Sequence, residues 1–158
     1  MSSWHNRWFG LARHVSFWSK DPSTKVGAVI VDDNQRMLSM GWNGFPRGVQ
    51  DSQDRLDDRN LKYKMVVHAE ANAIYNAGFN GVSLKGSTMY VHGLPCCNEC
   101  AKAIIQSGVK RVIMDWPPGE NRSEWVESFK ITSMMFDESG VKYERMTNHH
   151  EAVPRYLS

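Results

Sequence analysis

Two short stretches carry side chains whose types and spacing could do chemistry. In VVHAEANAIYNAG, residues 66–78, His68 and Glu70 stand two apart at the start of an otherwise apolar, alanine-rich run. A first-turn carboxylate favoured by the helix dipole and a hydrogen-bonded core histidine would account for that stretch alone. In LPCCNECAKAIIQSG, residues 94–108, Cys97 and Cys100 form a Cys-x-x-Cys pair whose second member falls in the first turn of a helix. Free backbone amides and the positive dipole end there favour thiolate, the form that binds metal. Taken alone, the pair could be a redox couple or two incidental small core residues. With His68, however, the two thiols make three ligands at the starts of two helices, one fewer than a closed structural zinc site uses, which leaves a position for water. Glu70 can then face the same pocket without being a ligand and take a proton from that water, whose pKa zinc lowers to about 7. This chemistry suits hydrolytic removal of an amino group from a ring carbon.

Cysteine usage narrows the choice. The only three cysteines, Cys96, Cys97 and Cys100, lie within five residues, so no disulfide framework can tie distant segments together. A metal or redox site remains. A length of 158 residues and a hydrophobic fraction of 41%, with six tryptophans and six phenylalanines, predict one domain over residues 1–158 with a substantial core. Nineteen basic against 17 acidic residues leave no broad basic surface of the kind long nucleic acids select, so a small-molecule substrate is favoured. No stretch approaches the roughly 18–20 apolar residues of a membrane span, and histidine and arginine interrupt MSSWHNRWFGLARHVSFW where a signal peptide needs an apolar core. The expected location is cytoplasmic.

The elements that must position these residues can be read in order. Residues 3–18 place Trp4, Trp8, Leu11, Val15 and Trp18 at helical spacing behind Ser3 as an N-cap, predicting an amphipathic helix. KVGAVIVDD, 25–33, is a β-branched run that ends in an Asp-Asp-Asn turn, and RMLSMGWNG is its expected antiparallel partner. Residues 46–64, dense in charge, read as an exposed excursion outside the core, either functional or oligomer-forming. A helix over 68–77, the strand STMYVHG, a helix over 98–107 closed by Gly108, and the strand KRVIMDW follow. A helix over 123–138 then leads through Gly140 to a last strand, VKYERM. This alternation predicts parallel later strands with helices on both faces of the sheet.

H-A-E at 68–70 together with the Cys-x-x-Cys at 97–100 resembles the signature of the zinc-dependent cytidine deaminase superfamily, H-x-E followed by P-C-x-x-C. SKDPSTKVGAVIVD (19–32), GWNGFPRG (41–48), HAEANAI (68–74) and CAKAIIQSGVKRVI (100–113) are similar to segments of its deoxycytidylate (dCMP) deaminases in particular, over roughly residues 4–116. One departure stands out: the family places proline directly before its first zinc cysteine, whereas Pro95 here precedes both Cys96 and Cys97. The proline alone would select Cys96; the register of CAKAIIQSG favours Cys97 and Cys100.

The resemblance implies a three-layer α/β/α sandwich around a five-stranded mixed sheet. It implies one catalytic Zn2+ per chain on His68, Cys97 and Cys100, and conversion of dCMP and water to dUMP and ammonia, feeding dTMP synthesis. Metal-activated water would attack ring carbon 4, with Glu70 carrying a proton to ring nitrogen 3 and later to the departing amine. Asn43 and Ala69 fall where the family contacts substrate. Trp42, Gly44, Phe45 and Arg47 match a segment that, in the resembling enzymes, lies between subunits of a homo-oligomer, commonly a hexamer. That segment binds dCTP as activator and dTTP as inhibitor, with Mg2+. Glycines that admit phosphates, aromatic faces and a guanidinium fit the task, although a glycine-rich turn is the plainer account of the same residues, as an Asn-Gly turn is of Asn43.

Some questions stay open at this level. The phosphate of dCMP could be held by Lys25, Arg47, Arg59, Lys62, Lys64 or Arg122, and spacing selects none of them. Trp116 and Trp125 fit a lid over the pocket, or simple packing; His149 and His150 fit a tail. The superfamily also deaminates bases in polynucleotides, but the balanced charge and the acidic DSQDRLDD excursion oppose a phosphate backbone. A zinc-stabilised interaction module would leave Glu70 and the missing fourth ligand unexplained.

Overall fold

The computed structural model describes residues 3–115 and 123–146. The elements run α1 (Ser3–Ser16), β1 (Gly27–Val31), β2 (Met37–Trp42), α2 (Gln53–Asp57), α3 (Arg59–Met65), α4 (Ala69–Phe79), β3 (Thr88–His92), α5 (Asn98–Gln106), β4 (Arg111–Met114), α6 (Ser123–Ser139) and β5 (Lys142–Arg145). The strands form one five-stranded sheet in the order β2-β1-β3-β4-β5. β1 pairs antiparallel with both β2 and β3, while β3, β4 and β5 run parallel. The hairpin turn is closed by Asp32, whose carboxylate accepts the backbone N–H groups of Asn34 and Arg36 at 2.9 Å each.

Alternation of side chains along the strands divides the core in two. Ala28, Ile30, Met89, Val91, Val112 and Met114 face α4, α5 and α6; Val29, Val31, Tyr90 and Ile113 face α1. Two successive crossovers between parallel neighbours advance in one direction, so their right-handedness puts α5 and α6 on the same side. Both faces are covered as predicted, and among the described helices α1 alone covers the second. The result is the three-layer arrangement expected above.

Two expectations need correction. Of the stripe predicted on the first helix, Val15 is buried and Trp8 and Leu11 pack against the core, but Trp4 is 44% exposed and Trp18, 46% exposed, lies past the helix end at Ser16; Phe9, Ala12 and Ser16 complete the core face. The cause is close approach: a Cβ on Gly27 would lie 2.1 Å from the Ala12 carbonyl oxygen, so α1 crosses β1 at Ala12 and Ser16, where only small side chains fit, and Trp4 is left at the rim. Ser3 lies inside the helix and is not a cap before it. The excursion at 46–64 is likewise not wholly outside the core. It folds into α2 and α3 and buries Leu56 at 6% and Lys62 at 3% exposure, because Lys62 reaches an anionic partner, Asp21, beneath the helix.

Candidate active site

The two helices that carry the chemical residues are fixed from below. α4 lies so close to β2 that a Cβ on Gly41 would sit 2.4 Å from the Ala73 nitrogen. Side-chain amides then tie the helix along the strand: Asn72 Nδ2 donates to the Trp42 carbonyl and Asn76 Nδ2 to the Met40 carbonyl, each at 2.7 Å. Just before the helix, Val67 and Gly44 exchange backbone hydrogen bonds of 2.8 and 3.1 Å, which pins the entry of the chain into His68. α5 is held by α6. Ser128 Oγ accepts the Asn98 N–H at 3.0 Å, and Thr132 Oγ1 donates to the Cys96 carbonyl at 3.0 Å.

On this base His68 is the N-cap of α4 and Cys97 the N-cap of α5, both with extended backbone, and Cys100 lies in the first turn of α5. Positions of this kind leave helical N–H groups without intrahelical partners, and Cys97 Sγ accepts one of them, from Cys100, at 3.4 Å. The structure brings His68, Cys97 and Cys100 together: His68 Nδ1 is 3.4 Å from each sulfur, and the three donor atoms lie within 4.8 Å of one another. Zinc bonds of about 2.3 Å to sulfur and 2.0–2.1 Å to nitrogen, in a tetrahedron, require a sulfur–nitrogen edge of about 3.6 Å. The donor set and its spacing therefore fit zinc, with one tetrahedral position left for a ligand that is not protein. Cys96 is fully buried and stands outside the trio.

The electrostatics match a site waiting for a cation. Hydrogen bonding to Cys97 and the nearby charge of Glu70 raise the His68 imidazole to about 9 against the effect of burial. Hydrogen bonds from Cys100 and His68 draw the Cys97 thiol down to about 4, while Cys100, which supplies the proton in that pair, is raised. The opposite shifts describe one proton shared between two sulfurs. A divalent cation among the three groups would displace it and hold both as thiolates. Glu70, 4% exposed in the first turn of α4, has its carboxyl raised by burial, with the charge of His68 opposing the rise. The Cys96 thiol hydrogen-bonds to Glu70, and burial raises its own pKa well above the ordinary thiol value.

A single pocket joins this cluster to polar groups on other elements. His68, Glu70 and Cys97 share it with Val26, Val66, Leu94 and Pro95, with Trp125 of α6, and with Asp21, Ser23, Thr24, Asn43, Lys62 and Tyr63. Asn43 lines the pocket, but its amide also knits the fold: Oδ1 accepts the Val26 N–H at 2.8 Å and Nδ2 donates to the Thr24 carbonyl at 2.9 Å. One lone pair and one N–H remain on it for a ligand. Ala69 is fully buried in the core at the first position of α4, so only its backbone could meet a substrate. Trp42, Gly44, Phe45 and Arg47 do not join this pocket; with Tyr75 and Asn76 they line a second concavity on the outer side of β2 and α4. There Arg47 hydrogen-bonds to Asn76 and lies 5.5 Å over the ring of Phe79. Trp116, Arg122, His149 and His150 fall outside the described residues.

Of the cations left open by the sequence that lie among the described residues, Lys62 is the one in the pocket, and Asp21 is a pocket residue that sequence reading missed altogether. Lys25 donates to the Ser19 carbonyl, Arg59 lies over the Tyr63 ring at the surface, and Lys64 is exposed. Hydropathy gave no sign of this, since exposed Leu61 precedes buried Lys62. A signal for Asp21 did exist in DPST, where an aspartate ahead of Pro-Ser-Thr commonly folds a turn onto its own carboxylate.

Comparison with known proteins gives the family. The profile described as the cytidine and deoxycytidylate deaminase zinc-binding region matches residues 2–115. A probable deoxycytidylate deaminase of Caenorhabditis elegans is 41% identical over 94% of this chain and 72% of its own length. Mouse deoxycytidylate deaminase is 37% identical over 85% of this chain and 79% of its own. Among solved structures, dCMP deaminase from the cyanophage S-TIM5, in complex with dCMP and dUMP, superposes with a TM-score of 0.66 at 28% identity, covering 87% of this chain and 93% of that one. On that family match and these identities the chain, which carries a His/Cys/Cys group and an adjoining carboxylate at the heads of α4 and α5, belongs to the cytidine and deoxycytidylate deaminase family and is a deaminase.

Proposed function

We propose that the chain hydrolyses the amino group of dCMP, giving dUMP and ammonia, with one zinc held by His68, Cys97 and Cys100. The observation that carries this reading is a single pocket on whose wall His68 and Cys97, two members of a zinc-compatible trio, adjoin a buried carboxylate, Glu70. The names of the relatives support the substrate. Zinc, when bound there, supplies the Lewis acidity that makes water nucleophilic near neutral pH. The chain supplies the rest. Glu70 accepts one proton of the incoming water and passes it to ring nitrogen 3, then takes the remaining proton from the hydroxyl newly bonded to ring carbon 4 and delivers it to the amine, which leaves as ammonia as its bond to that carbon breaks and the carbonyl forms. A burial-raised carboxyl suits a group that must hold a proton between these transfers. Val26, Val66, Leu94, Pro95 and Trp125 wall the pocket with apolar surface, and Asn43 offers its remaining N–H and lone pair to the sugar.

The same reading takes residues 1–158 as one catalytic domain, working in the cytoplasm as a homo-oligomer, of hexameric order, that supplies dUMP for dTMP synthesis. No helix among the described residues is long and apolar enough to cross a membrane. It also takes the second concavity, with Trp42, Gly44, Phe45 and Arg47, as the seat of dCTP and dTTP with Mg2+. Ammonia release from dCMP, cytidine and single-stranded DNA by the zinc-loaded protein is the primary test. Release from dCMP foremost is expected; preferential release from the polynucleotide would replace this reading with the nucleic-acid branch of the family.

A further inference from the structure

We infer that Asp115 is a positioning residue: acting through the Gly93 amide, it sets the wall that Leu94 and Pro95 present to the substrate, separately from what holds the zinc ligands. The inference rests on the catalytic reading of the pocket and adds to it a group that none of the proposed steps uses.

Asp115 directly follows β4. Its N–H extends the ladder by one bond, donating to the Val91 carbonyl at 3.2 Å, and this sets its side chain beside the end of β3. There Oδ1 accepts the Gly93 N–H at 2.7 Å. Oδ2 lies 2.8 Å from His92 Nδ1 but out of alignment for a hydrogen bond, so of these two contacts the Gly93 amide is the directed one. Aspartate is almost never fully buried without a partner, and Asp115 is 3% exposed. Its carboxylate is committed to the point where the chain leaves the sheet for the pocket.

Gly93 is held from a second side as well. Its φ is +116°, and a Cβ would lie 2.4 Å from the Lys25 carbonyl oxygen, so only glycine lets β3 end against the chain entering β1. Three residues on, a different element takes over. The Thr132 hydroxyl of α6 donates to the Cys96 carbonyl at 3.0 Å, and Ser128 Oγ accepts the Asn98 N–H at 3.0 Å. Between the two anchorages stand only Leu94 and Pro95, and both line the pocket. The zinc end of this connection therefore hangs on α6 and its substrate end on Asp115. A hydrogen bond to a carboxylate is of the stronger kind, and a misplacement of about 1 Å at a reacting site can cost about 100-fold in rate.

The test uses the zinc-loaded protein and whichever of dCMP, cytidine and single-stranded DNA the parent deaminates fastest. Asp115→Ala removes the acceptor: kcat/KM should fall by about 10-fold to 100-fold, while the rate of zinc loss to a chelator stays within about threefold of the parent. Asp115→Asn keeps an oxygen for the Gly93 N–H, and His92→Phe leaves that bond untouched, so each should stay within about fivefold of the parent kcat/KM. A purely structural role would lower the thermal midpoint and leave the kcat/KM of the folded protein alone. Parent kcat/KM in Asp115→Ala overturns the inference, as does zinc lost in step with activity, or an Asp115→Asn or His92→Phe protein as impaired as Asp115→Ala. If Asp115→Ala does not fold, the Asp115→Leu/His92→Phe double variant decides by the same two readouts, because it replaces both groups with apolar ones of similar volume and strands no charge. A parent that prefers a substrate other than dCMP overturns the proposed function alone, and one that deaminates none of the three overturns both.

Discussion

Glu70 has the least room to be anything but a proton carrier: it is 4% exposed, lies two residues from a metal-competent histidine, and lines the pocket. Glu70→Gln preserves shape and removes the basic oxygen. The variant should fold, keep its zinc, and lose about 100-fold to 10,000-fold in turnover, measured as ammonia release beside metal analysis. Turnover within about threefold of the parent would take Glu70 out of the mechanism. Cys97 and Cys96 form the complementary pair of tests. Cys97→Ala should lose the metal, since Cys97 Sγ lies 3.4 Å from His68 Nδ1, and Cys96→Ala should retain it, since Cys96 stands outside the trio. The reverse pattern would move the site by one residue. These residues were legible in the sequence for a local reason: ligands at helix starts need only a short motif and the turn that follows it. Lys62 and Asp21 were not, because 41 residues separate the partners and only the folded α3 brings them together.

At the scale of elements, the site depends on how tightly α4 lies on β2. Gly41 has no room for a methyl group, with Ala73 nitrogen at 2.4 Å and Ala69 oxygen at 2.7 Å from a built Cβ, and both atoms are backbone. Gly41→Ala should cost about 1–3 kcal/mol or more and lower the thermal midpoint by several degrees, with zinc content falling as the helix start shifts. Gly44, three residues on, is the control: a Cβ there meets nothing within 4 Å, so Gly44→Ala should change stability by less than about 0.5 kcal/mol. A Gly41→Ala protein as stable as the parent would show that α4 can slide on the strand. The order and type of these elements were readable because apolar periodicity switches cleanly between two and 3.6. The face of α1 was misread because tryptophan outweighs alanine and serine in any hydrophobic pattern, while the close approach at Gly27 selects Ala12 and Ser16. The 46–64 excursion was misread because its charges hid a lysine that is buried with a partner.

At the scale of the molecule, a single chain leaves Phe79 82% and Tyr75 59% exposed on α4, beside the concavity that holds Trp42, Phe45 and Arg47. On the proposed reading this face is where a second subunit packs. α4 begins at the metal-competent His68 and Glu70 and carries Tyr75 and Phe79 at its far end, so a contact on this face bears on the helix to which the proposal assigns the proton transfer. On the proposed reading, light scattering should give a closed multiple of the 18.1 kDa chain, and Phe79→Asp should reduce the particle size. Regulation follows from the same placement only if dCTP and dTTP favour different states of the oligomer. The dCMP saturation curve should then be sigmoidal alone, hyperbolic with dCTP and displaced to higher substrate with dTTP. Arg47→Ala, which removes the guanidinium from over Phe79 and from Asn76, should blunt both shifts while zinc content stays at the parent value. Identical hyperbolic curves for the parent with and without either triphosphate would mean that this face joins subunits and carries no signal.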